Sequence, residues 1–145
     1  MKTSLAAALL LLSTAALAQP GDGGTPAAAA PGAKAPLNVE QLPFTPDSIR
    51  QVMGHHLEQI QGCYEEWLAG KGNKTPQGKL LTSFTITPAG LVKKARVLNK
   101  GTDWALRDPA LKDCVVGVLT ALSFPKPPDG REHPIEYPFN LKAIQ

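Results

Sequence analysis

Cysteine, histidine and aromatic residues are scarce in this chain: two Cys, three His and 6% Phe, Trp and Tyr among 145 residues. The scarcity bears first on metal chemistry. His55 and His56 are adjacent, so a helix turns them roughly 100° apart instead of onto one face, and His133 is remote. Neither arrangement has the spacing of a metal site, so no metal and no cofactor are expected. Charge is also sparse, at 19% of residues, with 15 Lys and Arg against 12 Asp and Glu. A formal net charge of +3 is too mild for a nucleic-acid partner, which asks for a strongly basic stripe. A Gly-rich phosphate loop is missing, because Gly70-Lys71-Gly72-Asn73-Lys74 lacks both the spacing and the preceding strand. Ser48, Ser83 and Ser123 stand in no nucleophile elbow. Glu65 and Glu66, being adjacent, diverge on a helix and read as a solvated face, so the expectation is a non-enzyme. The 43% hydrophobic content is that of an ordinary globular chain, long enough for one small domain and not for two.

The opening residues read as an address. Lys2 supplies positive charge, Leu5 to Leu12 an apolar run, and Ala16-Leu17-Ala18 a small-x-small cleavage site before Gln19. The run is shorter than the roughly 20 residues of a membrane span. Residues 1–18 are therefore expected to be a cleaved signal peptide, leaving no membrane span and a periplasmic or secreted product. From Gln19 to Pro36, all but four residues are Pro, Gly or Ala. Nothing there is large enough to offset ordering entropy by burial, so 19–36 is expected to be a disordered linker, dispensable for folding. The folded domain is then 37–145.

That domain opens on helix signals. Thr45 suits an N-cap, Pro46 the first helical position, Asp47 the positive end of the dipole, and Phe44 and Ile49 have hydrophobic-staple spacing. Ile49, Val52, Met53, Leu57, Ile60, Cys63, Tyr64, Trp67 and Leu68 then recur at three- and four-residue steps. The spacing predicts one amphipathic helix of about six turns ending at Gly70 and Gly72, with close packing or a bend at Gly54 and Gly62. The period then changes. Over Gly78 to Thr87, Leu80, Thr82, Phe84 and Ile86 alternate with Leu81, Ser83 and Thr85, and Pro88-Ala89-Gly90 makes a turn. Leu91 to Leu98 reads as the returning strand, but the spacing of Val92, Ala95 and Val97 breaks alternation and predicts a bulge near Lys93–Lys94. Asp108-Pro109 starts a second helix, with Leu111, Cys114, Val115, Val118, Leu119 and Leu122 as its stripe. After the Asp129-Gly130 turn, Ile135, Tyr137, Phe139 and Leu141 share one face of a last strand.

The order is helix, strand, strand, helix, strand. One apolar stripe per helix and one apolar face per strand predict an α+β domain: two helices on one face of a three-stranded, mainly antiparallel sheet whose other face is mostly wet. Cys63-Tyr64-Glu65, then Gly78-Lys79-Leu80 through Phe84-Thr85-Ile86, then Gly90-Leu91-Val92, resemble the TonB C-terminal-like domain. Cys114, Phe124-Pro125 and Tyr137-Pro138-Phe139 are similar to the AgmX/PglI C-terminal domain of gliding-motility proteins. The resemblance runs from Asp47 to Leu141 and implies a non-enzymatic module for protein contacts at a cell envelope. The chain departs from the energy-transducing pattern in lacking a retained membrane helix and a long Pro-rich arm.

An exported chain with only two thiols, each on the apolar stripe of its helix, predicts a Cys63–Cys114 disulfide; the competing reading is two buried free thiols. Lys93, Lys94, Arg96 and Lys100 form the densest basic stretch; on a strand such charges guard an edge, and Lys93, Lys94 and Arg96 are also candidates for contact with an acidic partner surface. Pro134, Glu136 and Pro138 address one edge of the last strand, and two of them have no N–H to offer. A monomer that meets envelope proteins by its open sheet face or helix–loop surface, without strand addition, is expected. The alternative is a small periplasmic enzyme or a carbohydrate-binding domain.

Overall fold

The structure, a computed structural model, describes residues 34–72 and 74–144. The expected signal peptide and all but the last three residues of the expected linker lie outside them.

Helix α1 spans Pro46–His55 and α2 Leu57–Ala69; strand β1 spans Gly78–Ile86 and β2 Val92–Val97; helix α3 spans Pro109–Thr120 and β3 His133–Leu141. The caps are those the sequence announces. Thr45 Oγ1 accepts the Ser48 N–H at 3.2 Å, and Asp108 Oδ1 accepts the Ala110 N–H at 2.9 Å. Each cap is followed by a proline at the first helical position, where no hydrogen bond is lost.

The expected single long helix is broken in two at His56, whose φ of −97° and ψ of 5° leave the helical region. Gly54, two residues earlier, contributes no side chain to hold the turn, and the His55 and His56 rings meet edge to face at 5.0 Å. The break re-aims α2. Leu57, which belongs to the apolar stripe of an unbroken helix, is instead 44% exposed, while Ile60, Cys63 and Tyr64 carry the buried face.

The sheet has order β2-β1-β3, antiparallel throughout. Leu80 lies opposite Phe139, Thr82 opposite Tyr137 and Phe84 opposite Ile135, so one face presents a continuous apolar surface. The helices bury their stripes on that face, and Val52, Met53, Tyr64, Leu111, Val115 and Leu119 join Leu80, Phe84, Ile86, Phe139 and Leu141 in one cluster. Thr82, buried in this layer, donates its hydroxyl to the Tyr137 carbonyl at 2.8 Å.

A bulge falls where the sequence places it. Ser83 pairs with Arg96 but Thr85 pairs with Lys93, so β2 spends one extra residue, and Lys94 takes a φ of 54°. That extra residue lets Val92, Ala95 and Val97 all reach the core side despite their uneven spacing. At the turn before β2, Gly90 adopts φ +81°, accepts the Phe124 N–H on its carbonyl at 2.8 Å, and faces the Phe124 carbonyl so closely that a Cβ would collide with it.

Candidate functional site

Three groups of residues bear on function: the α2–α3 junction, the open sheet face and the sheet edges.

At the junction, Cys63 and Cys114 are joined by a disulfide, with Cα atoms 5.7 Å apart. The bridge forms because both thiols lie on stripes that meet over the sheet, Cys63 buried and Cys114 half-buried. Beside it, the Lys71 ammonium lies 2.9 Å from Asp108 Oδ2 and 4.8 Å above the Trp67 ring. The Asp108 carboxyl is held down at about 2, first by the Lys71 hydrogen bond, then by the Trp67 indole N–H and the Ala110 N–H of its own helix cap. The indole N–H is buried, completes no hydrogen bond by distance and angle, and still helps to hold the Asp108 carboxyl low. One turn earlier, Tyr64 donates its hydroxyl to the Pro76 carbonyl at 3.0 Å and fixes the segment leading into β1. Burial, and then the charge of Glu65, push the Tyr64 hydroxyl pKa up.

On the open face, rows cross the sheet. Arg96, Ser83 and Glu136 form one; Lys93, Thr85 and Pro134 form the next. The three basic candidates of β2 part company here. Lys93 is bound to Glu132, whose carboxyl is held low by that hydrogen bond and by the charges of Lys93 and Lys94. Lys94 occupies the bulge. Arg96 stands exposed on the open face, and among the described residues no carboxylate forms an ion pair with it. Glu132 is 39 residues from Lys93, so nothing local in the sequence announces the pair.

The edges follow from register. Pro134 and Pro138 pair with Thr85 and Leu81 at positions where β1 and β3 exchange no backbone hydrogen bonds, since proline brings no N–H. Both prolines, with Glu136 between them, therefore face away from β1 along the outer edge. On the far side, the Leu91–Ser123 bridge caps the start of β2, and α3 packs against that strand. The histidines are dispersed. His56 Nδ1 meets Gln59 Oε1 at 3.3 Å, and His133 sits 4.8 Å from the Phe44 ring and 3.0 Å from the Asp129 carboxylate.

The elements and the bridge define a small α+β domain, three helices locked over one face of a three-stranded antiparallel sheet, with the other face open. No protein-family model matches the chain, and no curated protein matches it. Among solved structures, the solution structure of Helicobacter pylori TonB-CTD (residues 179–285) is similar at 21% identity, covering 72% of this chain and 98% of that one, with a TM-score of 0.38. A likeness that loose transfers neither activity nor partner.

Proposed function

We propose that this chain is an exported, non-enzymatic protein-interaction module of the bacterial cell envelope, resembling in sequence the AgmX/PglI C-terminal domain of gliding-motility proteins. The observation that carries the reading is the open sheet face: an uncovered surface with Ser83, Thr85, Arg96 and Glu136 at its centre, beside a strand edge that proline closes to further pairing. The Cys63–Cys114 bridge supports export, because disulfides persist in oxidising compartments. The occupant of the face is an envelope protein whose surface carries acidic groups toward Arg96 and the Lys94 bulge.

The test is site-specific photocrosslinking in intact cells. A crosslinker at Ser83 is expected to trap a discrete envelope protein, and one at exposed Asp113 on α3 is not. Replacing Arg96 by Glu should remove the Ser83 adduct. Adducts from Asp113 alone, or none from Ser83, overturn the reading. The edge is tested separately: Pro134→Thr with Pro138→Thr restores two outward N–H groups and should induce dimerisation at high concentration in a sizing experiment.

A further inference from the structure

We infer that the cleft between Trp67 and Trp104, remote in role from the open sheet face, is a second binding site, built for an acidic peptide segment that inserts an apolar side chain. Trp104 is 82% exposed, the largest apolar side chain left in water among the described residues. It is not on a loose loop. It begins the 3-10 turn Trp104–Leu106, whose Leu106 is fully buried beneath it. Just before it, the Asp103 N–H donates to the Lys79 carbonyl at 2.8 Å and Asp103 Oδ2 accepts the Lys79 N–H at 2.6 Å. Behind it, Arg107 Nε donates to the Thr102 carbonyl at 2.9 Å. The fold thus clamps both ends of the turn to hold an indole outward, and a preorganised aromatic anchor loses little conformational freedom on binding.

Trp104 forms one wall of a cleft of about 760 Å³, with Trp67 and Pro76 also lining it. Lys71, Lys74 and Arg107 supply its charge, against a single carboxylate, Asp108. Asp108 is already committed to Lys71 and to the Ala110 N–H, and among the described residues no carboxylate forms an ion pair with Lys74 or Arg107. The cleft is therefore net positive. Its chemistry also selects between ligand classes. Lys, Arg and Trp side chains only donate hydrogen bonds. Sugar hydroxyls need acceptors as well, and the cleft's side chains offer few: the Thr75 hydroxyl and the part of the Asp108 carboxylate that Lys71 and the Ala110 N–H leave free. Carboxylates only accept. Two indoles beside unpaired cations fit a peptide in which Asp or Glu flanks an apolar residue, and Trp and Arg are the residue types that dominate binding energy at protein contacts.

The two indole N–H signals of the full chain give a direct assay, because Trp67 and Trp104 are its only tryptophans. The probes are an end-capped hexapeptide of alternating Glu and Leu, its Lys–Leu counterpart, and an oligogalacturonate as an acidic saccharide. The Glu–Leu peptide is expected to shift both indole signals saturably, and less so in high salt. Trp104→Ala and, independently, Lys74→Glu should each weaken that binding by about tenfold or more. Both side chains are exposed, so neither change should move the melting temperature. Silence toward the Glu–Leu peptide at millimolar concentration, an equal response to the Lys–Leu peptide, or tighter binding of the oligogalacturonate overturns the inference. None of these outcomes depends on the Ser83 crosslinks.

Discussion

Opening the Cys63–Cys114 bridge should cost this domain a large fraction of its stability. The bridge closes a segment of 51 residues. In the chain-entropy model a closed loop of that length removes unfolded-state freedom equivalent to about 4 kcal/mol at 25 °C, set against a total of about 5–15 kcal/mol for a domain. Reduction should leave the native contacts in place, because Cys63 and Cys114 sit in one core with Ile60, Tyr64, Leu111 and Val115. The effect therefore falls on the unfolded chain. Urea unfolding of the oxidised protein and of the Cys63→Ala/Cys114→Ala variant measures it. With an m-value of about 1.5 kcal/mol/M, the midpoint of the variant should fall by about 2.5–3 M. Coincident curves, or two free thiols in protein isolated and unfolded without reductant, would refute the reasoning.

Two further outcomes follow from local geometry. Gly90→Ala should destabilise by about 1–3 kcal/mol, read as a lower urea midpoint, because φ +81° is strained for alanine and the new methyl meets the Phe124 carbonyl. Acid should weaken the domain in a defined window. Asp108 titrates natively at about 2 against an ordinary 3.8, so its contribution is present above about pH 4 and is lost as pH falls through 2. Asp129 and Glu132, also held low, add in the same direction. Melting temperature against pH should show this fall, and Asp108→Asn should make it shallower.

Features fixed by near neighbours were legible in the sequence. Thr45-Pro46 and Asp108-Pro109 cap helices through side chains within three residues of the backbone they serve. The bulge at Lys94 follows from the spacing of three apolar residues, and the disulfide from two thiols on two stripes. The break at His56 was legible only as a bend at Gly54, and the close packing expected as its alternative is absent at Gly54 and Gly62. Apolar periodicity continues through Leu57, and the turn at His56 leaves that residue exposed. The Trp104 turn escaped for a related reason. One buried leucine, Leu106, anchors it, and a single apolar position has no period. Lys93–Glu132 joins residues far apart in the chain, so three lysine and arginine residues that look equivalent on paper differ in what they have left to offer.

The central position of β1 has a consequence for when the domain can be finished. One of its neighbours, β2, follows after a short turn, whereas the other, β3, begins only at His133. A β1–β2 hairpin forms quickly from local contacts, but the remaining side of β1 stays open until the chain beyond residue 133 arrives. Cysteine oxidation needs only the chain as far as Cys114. If the chain is exported as proposed, emerging N-terminus first, the covalent lock can close while one edge of the central strand is still bare. A chain held in that state exposes Phe84 and Ile86 beside unpaired backbone, and is most vulnerable to self-association in the interval before Ile135 and His133 pair opposite them.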